Sequence, residues 1–267
     1  MTPQEGIWIR SFRHQFSQSR FSLECLCFLE IGRQLRKHRL VLGADDEHSG
    51  AGPVEGAVFA LFGLMVAFSF SGAATRFDAR RALIIEEAND IGTAYLRVEM
   101  LAPSDRPAMR SQFRNYVDSR LEIYRKLPDI AAAEKELTRS AKIQGEIWKE
   151  AVAETQSQGA HPDSGKLLLP AINAMIDITT TRTMAARTHP PVSLFYLLLV
   201  LGLTQSLLAG FSMAGVNRRS WLHLLVFGII TVVVVYVIVD LEFPRFGLIR
   251  IDKYDQVLVD LRNSMNE

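Results

Sequence analysis

Three long stretches without a charged side chain constrain this chain more than any other feature. Asp, Glu, Lys and Arg are absent from residues 56–75, from residues 190–217 and from residues 220–239. A helix needs about 20 apolar residues to cross the hydrocarbon core of a bilayer, and each stretch is long enough. The last stretch is also too long and too apolar for a buried strand. We therefore predict three secure transmembrane helices.

The overall composition conceals these stretches. The mean hydropathy is only +0.10, and 30 basic residues nearly balance 29 acidic ones, which leaves a net charge of +1. A chain without surplus positive charge offers no electrostatic basis for binding nucleic acid. The composition is that of a membrane protein with a sizeable water-facing part.

A fourth span is doubtful. The segment from Phe21 to Ile31 is short and carries Glu24 and Glu30, which are costly in hydrocarbon. The preceding residues, 1–20, are polar and lack the apolar core of a signal peptide. Either the segment lies at the membrane interface, or it is what remains of a truncated first span.

The region from 76 to 189 reads as a helical insert between spans. Its first part carries apolar residues at steps of three and four, typical of a packed helix face: Ile84, Ala88, Ile91, Tyr95 and Val98. Nothing separates this stripe from the preceding span, so we predict one nearly continuous helix from Gly56 to about Leu101. Pro103 should end it, with Ser104 capping the next helix.

Further breaks divide the rest of the insert. We expect a third helix to begin near Asp129, a turn between Gly159 and Gly165, and a fourth helix from Leu167 to about Arg187. The predicted fold is thus all-α, with an N-terminal arm (1–53), a span (54–75), the insert (76–189), two spans (190–242) and an amphipathic tail (243–267).

Basic residues near the spans leave the orientation open. Those at 33–39 and in the 217–219 loop would put the insert outside the cell by the positive-inside rule. Those at 76–81 and 245–253 favour a cytoplasmic insert. The two sets nearly cancel.

Recognised catalytic and metal-binding motifs are absent from the sequence. It contains no phosphate-binding glycine loop, nucleophile elbow, zinc-protease motif or kinase signature. Cys25 and Cys27 are too close to bridge readily, and we interpret them as small apolar side chains. We predict a protein that is not an enzyme and that binds no metal or cofactor.

The first secure span has two faces whose residue patterns predict different roles. Small residues at four-residue steps, typical of close helix packing, form the first: Gly63, Ala67 and Ser71. Apolar residues that would form stacked gating rings around an oligomer axis form the second: Phe62, Val66 and Phe70. Lipid-facing or core packing is the alternative for the second face.

Charged residues near the membrane are expected to pair, because an unpaired buried charge is costly. The candidates lie in the insert and at the end of the last span: Glu87, Asp90, Arg97, Asp177, Arg182, Asp240 and Arg245. We predict that Glu87 or Asp90 contacts an arginine, with Arg97, Arg182 and Arg245 as the favoured partners.

Two blocks of sequence resemble one bacterial family. They are EEANDIGTAYLRVEMLAPSDRPAMRSQFRNYVDSRL at residues 86–121 and DLEFPRFGLIRIDKYDQVLVDLRNS at residues 240–264. Both resemble the DUF4239 family, also called bestrophin-like domain proteins, and the resemblance covers about residues 30–265. Members of that family show a clear first span where this chain has the doubtful one.

The resemblance implies an architecture and a function. Bestrophins are pentameric anion channels with a cytosolic helical region between spans two and three and an apolar neck on span two. By this likeness we expect a multi-pass protein of the inner membrane, a homo-oligomer within the lipid bilayer, that passes small ions. The alternative is a non-conducting sensor or scaffold whose insert binds a partner or ligand.

Overall fold

A single helix of 47 residues carries the chain through the first predicted span and into the insert. In the computed structural model, which describes residues 18–41, 51–213 and 221–266, this helix is α2, Ala51–Arg97. A short 3-10 turn, Val98–Met100, follows it. There is no break between Thr75 and Ala82, which confirms the predicted continuous helix.

The other helices follow in a simple order. They are α1 Gln18–Val41, α3 Arg106–Arg125, α4 Ile130–Glu154, α5 Ser164–Arg187, α6 Val192–Met213, α7 Trp221–Glu242 and α8 Gln256–Ser264, the last preceded by a 3-10 turn at Asp252–Asp255. The described part of the chain contains no strand, so the all-α prediction is confirmed.

Within the described residues, three helical segments are long and apolar enough to cross a membrane. They lie within Gly52–Met100, Ser164–Met213 and Leu225–Glu242 and overlap the three predicted spans, whose residues 214–220 lie outside the described residues. Helix α1 is not among them. The chain divides into two compact units, one formed by Met1–Thr75 with His189–Glu242 and the other by Arg76–Thr188 with Phe243–Glu267.

In the first unit, α1 packs directly against α6 through two glycines. A Cβ atom added to Gly32 would lie 2.0 Å from the carbonyl oxygen of Leu207, and one added to Gly210 would lie 2.0 Å from that of Leu29. Each glycine therefore meets the backbone of the opposite helix. The segment of the doubtful span is thus helical and in close contact with a secure span.

The buried face of α1 explains its packing. Phe21, Cys25 and Leu29 recur at four-residue steps and are all buried, whereas Cys27 is exposed. Both cysteines are free thiols. Cys25 thus serves as a small apolar side chain at the helix contact.

In the second unit, the predicted stripe of α2 packs against α3, α4 and α5. Five fully buried side chains from α2, α3, α4, α5 and α8 respectively belong to one apolar core: Ile91, Phe113, Ile147, Ile172 and Leu258. Asp129 caps α4 by accepting a hydrogen bond from the amide of Ala132 at 3.1 Å, as predicted for a helix that begins there.

The predicted cap of α3 is wrong by one residue. Asp105 occupies the N-cap position, and the hydroxyl of Ser104 donates to its carboxylate at 2.8 Å. Pro107 lies in the first turn of the helix, where its missing N–H has no cost. The helix therefore begins one residue later than the Ser104 cap implied.

Two arginines that appeared to be orientation signals have structural roles. Arg80 is buried and donates to the carbonyl oxygens of Ala185 and Thr188 at the end of α5. Arg36 donates in the same way to the carbonyl oxygen of Ser212 at the end of α6, at 2.7 Å. A cation at a helix C-terminus satisfies free carbonyls and complements the helix dipole. These arginines are thus explained without reference to the side of the membrane.

The glycine contact between α1 and α6 makes a sharp prediction. Gly32→Ala or Gly210→Ala inserts a methyl group against rigid backbone, so the helices must separate, and we expect a loss of about 1–3 kcal/mol in stability. Thermal unfolding of the detergent-solubilised protein measures it. Gly145→Ala is the control, because nothing lies within 4 Å of its added Cβ atom; unchanged stability in the first two variants would contradict the contact.

Glu154, the last residue of α4, should make the stability of the folded chain depend on pH. Burial, and then the charges of Asp105 and Glu150, raise the pKa of Glu154 to about 7, from an ordinary value of 4.5. Between these values the folded chain keeps a proton that the unfolded chain releases, so stability falls as the pH rises. Glu154→Gln should remove this slope and exceed the parent's stability at pH 8.

Melting curves of the parent and Glu154→Gln at pH 5 and pH 8 provide the measurement. Glu146→Gln is the control, because Glu146 is an exposed residue of the same helix. If Glu154→Gln retains the parent's difference between the two pH values, the carboxyl group of Glu154 is not responsible for it.

Candidate functional site

Glu87 is a charged side chain on the packed face of α2, and it is completely buried. Its neighbours on that face, Ile84, Ala88 and Ile91, belong to the apolar stripe and are buried as well. A carboxylate in such a position loses its water and must be compensated by nearby cations. The residues that compensate Glu87 define the candidate site.

Two arginines compensate it, one from α3 and one from α5. Arg120 Nε donates to Glu87 Oε1 at 2.5 Å, and Arg182 Nη1 donates to Oε2. Burial alone would raise the pKa of Glu87, but the two guanidinium groups outweigh it and hold the pKa below its ordinary value. Glu87 is therefore a buried anion that joins three helices, and its predicted pairing with Arg182 is confirmed.

The network continues into the C-terminal segment. Arg182 Nη2 donates to Asp255 Oδ1 at 3.0 Å. Arg245 donates to both oxygens of the same carboxylate, at 2.7 Å and 3.1 Å, and also to Asp252 at 3.0 Å. Asp255 thus links α5 to the segment that follows the last span, through charge-assisted hydrogen bonds.

An aromatic ring lies at the centre of these cations. The Cζ atoms of Arg182 and Arg245 are each 4.2 Å from the centroid of the Tyr124 ring, and that of Arg120 is 5.7 Å away. The electron-rich face of an aromatic ring attracts such cations most strongly where water is excluded. Tyr124 therefore helps three like charges to lie close together.

The C-terminal helix is anchored beside the network. Arg262 binds both oxygens of Asp118 on α3, at 2.8 Å and 3.0 Å, and Arg114 donates to the carbonyl oxygen of Met265 at 3.1 Å. Leu258 and Met265 are buried in the apolar core. Charge and apolar contacts together hold the tail, which the sequence identified only as amphipathic.

Four other predicted pairing residues lie outside the network. Asp90 has no hydrogen bond or ion pair within the described residues, and burial, followed by the charges of Glu86 and Glu87, raises its pKa. Arg97 donates to the carbonyl oxygen of Leu167 at 2.6 Å, so it is not a partner of Glu87. Arg97 lies ten residues beyond Glu87, almost three helical turns along α2, whereas Asp90 lies one turn away at a half-buried position without a cation bound to it in the described residues.

The described hydrogen bonds of Asp177 and Asp240, the other two of these four residues, come from side chains other than the predicted arginines. Asp177 is exposed and accepts a hydrogen bond from Asn173 at 2.8 Å, because it lies on the outer face of α5 while Arg182 points inwards. Asp240 is buried and accepts from the hydroxyl of Tyr236 at 3.4 Å. The described bonds of Arg245 go to Asp252 and Asp255 instead.

Sequence reasoning missed two charged members of the site, Arg120 and Asp255. Arg120 lies four residues after Tyr116 and four before Tyr124, and therefore on the same face of α3 as these two rings. An arginine at a buried position of an otherwise apolar and aromatic stripe was the available signal. Asp255 gave no such signal, because it lies in a short turn with several other charged residues.

The two predicted faces of the first span have different environments. Gly63, Ala67 and Ser71 are exposed, and among the described residues nothing lies within 4 Å of a Cβ atom added to Gly63. Phe62 is 8% exposed and Phe70 is 46% exposed. The ring of Phe62 faces Gly202, where an added Cβ atom would lie 3.6 Å from Phe62 Cε2.

Comparisons with known proteins concern the family and the fold. The family model of the bestrophin-like domain matches residues 32–254. Among solved structures, a point mutant of a bacterial bestrophin homolog from Klebsiella pneumoniae is similar, with a TM-score of 0.69 and 14% sequence identity, over 95% of this chain and 100% of that one. At such identity the likeness concerns the fold alone. No curated protein matches the chain.

The ion-pair network predicts a large effect from a small change. Glu87→Gln removes the anion and leaves Arg120 and Arg182 buried without their carboxylate, which should destabilise the protein by about 3–5 kcal/mol. Glu86→Gln is the matched control, since Glu86 is exposed on the same helix and should change stability by less than about 0.5 kcal/mol. Equal melting temperatures for the two variants would show that Glu87 is not the centre of the network.

Proposed function

This chain belongs to the family of bestrophin-like domain proteins, and on that premise we propose that it assembles as an oligomer in the cell (inner) membrane and passes small ions along the oligomer axis. A channel of this kind needs one helix from each subunit around the axis. We assign that role to α2.

The exposed face of α2 is the observation that carries this assignment. Within the span, the exposed positions include small residues at steps of three and four: Ala60, Gly63, Ala67 and Ser71. Small residues allow copies of a helix to approach closely, or leave room for water between them. Packing within the subunit uses the opposite face, so this face remains available to neighbouring copies.

All three spans expose large apolar side chains, and α2 does so at Leu61, Leu64 and Phe68, but the described positions of α6 and α7 carry no comparable row of exposed small residues. Large branched or aliphatic side chains are exposed on α6 and α7, including Leu197, Val200, Leu225, Ile229 and Ile230. Such side chains suit contact with lipid tails. The row of exposed small residues, which only α2 has among the described residues of the spans, is therefore what favours α2 as the axial helix.

The predicted gating residues Phe62 and Phe70 lie in different environments, since Phe62 is buried and Phe70 is exposed. Phe70 borders the exposed small-residue face, so in an axial α2 it would narrow the pore and expel water. Phe62 faces Gly202 within its own subunit. We therefore propose Phe70 as the constricting member and Phe62 as a packing residue, with Val66 between them.

A flux assay tests this division. Phe70→Ala should ease wetting of the constriction and raise ion flux from protein reconstituted in liposomes. Phe62→Ala is the matched control, because it removes the same ring from the same helix and should lower stability by about 3–5 kcal/mol without opening the pore.

The mass of the detergent-purified complex completes the test. A monomer would remove the axis, and with it the proposal. Intact oligomers with near-zero flux in the parent and in both variants would favour the non-conducting sensor or scaffold. A higher flux in Phe62→Ala than in Phe70→Ala would reverse the two assigned roles.

A further inference from the structure

One hydrogen-bond donor in the ion-pair network has no acceptor. Arg120 is only 1% exposed; its Nε binds Glu87, and its Nη2 donates to the hydroxyl oxygen of Tyr124 at 3.0 Å. Its Nη1 is buried and has no hydrogen-bond partner within residues 18–41, 51–213 and 221–266. A buried guanidinium N–H without an acceptor is unfavourable, and no other buried side-chain nitrogen of the network lacks a partner among the described residues.

The hydroxyl of Tyr124 adds a second donor beside it. Burial raises the pKa of Tyr124, so the phenol keeps its proton. The oxygen accepts the bond from Arg120, and in the described part of the chain no acceptor is found for its own proton. Arg120 Nη1 and Nη2 share one carbon atom, so Nη1 lies within about 5 Å of the Tyr124 oxygen. One small acceptor can therefore contact both.

The buried charges are also unequal. Three guanidinium groups, those of Arg120, Arg182 and Arg245, face the Tyr124 ring. Among the carboxylates that pair with them, only two are well buried, those of Glu87 and Asp255. The third, Asp252, is 37% exposed and is shared with the exposed Arg250. One positive charge of the buried set is thus left without a dedicated partner.

We propose that Arg120 Nη1 and the hydroxyl of Tyr124 bind one small monovalent anion, of the size of a halide ion. A single negative charge balances the one buried positive charge that has no dedicated partner. An ion without protons can accept hydrogen bonds from both donors, Arg120 Nη1 and the Tyr124 hydroxyl. A multivalent anion such as sulfate would bring a negative surplus into a buried site and lose more hydration. The site lies among α2, α3, α5 and the C-terminal segment, in the water-facing insert.

Anion binding at this site does not require conduction. The donors, the ring and the ion pairs all belong to the second compact unit, whereas the proposed pore residues lie in the first. A non-conducting protein would bind the anion equally well. An anion that fills the site would stabilise the insert and the tail that is anchored to it.

Bromide titration of the full detergent-purified chain tests the proposal. Thermal unfolding is followed while bromide replaces gluconate at constant ionic strength, so that general screening does not change. The site predicts a saturable rise in melting temperature. Tyr124→Phe keeps the ring and removes only the hydroxyl donor, so it should weaken the apparent bromide affinity about tenfold or more.

Tyr95→Phe provides the matched control. Tyr95 is a partly buried tyrosine of the same unit whose hydroxyl donates to the carbonyl oxygen of Met265, so its loss should lower stability without altering the bromide response. Anomalous scattering from bromide in crystals should show a peak within hydrogen-bond distance of Arg120 Nη1. An unchanged bromide affinity in Tyr124→Phe, or water alone beside Nη1, would overturn the proposal.

Discussion

The buried carboxylate of Glu87 is the constraint around which the water-facing unit is organised. An anion without solvent on a packed helix face cannot persist unless cations meet it, and Arg120 and Arg182 do so from two further helices. Their side chains must then be covered as well. The positions of α3 and α5 relative to α2 are therefore fixed by charge in addition to apolar packing.

The same requirement extends to the C-terminal segment. Arg182 uses its second nitrogen to hold Asp255, and Asp255 in turn holds Arg245, so a chain of ion pairs runs from α2 to the residues after the last span. The ring of Tyr124 lets the arginines converge. Any rotation of α2 at Glu87 would disturb this chain of ion pairs.

Periodicity and length made the helices predictable, because each depends on side chains that are close in sequence. The spans, the continuous α2 and the start of α4 were derived in this way, and the pairing of Glu87 with Arg182 followed from the cost of a buried charge. Contacts between distant segments were not predictable. Arg120 was missed as the second partner, and the crossing of α1 and α6 at Gly32 and Gly210 depends on two backbones that meet only in the folded chain. Likewise, sequence spacing does not reveal that Phe62 packs beside Gly202 of another helix, whereas Phe70 on the same predicted row stays exposed.

Amide hydrogen exchange across the C-terminal helix tests the central claim most directly. If Glu87 supports the tail through Arg182 and Asp255, exchange in α8 should accelerate markedly in the Glu87→Gln variant, while amides of α6 keep the parent rates. The comparison should be made well below the melting temperature, so that local opening dominates the exchange. Parent-like protection of α8 in the variant would show that the tail is held independently of Glu87, and would contradict the account.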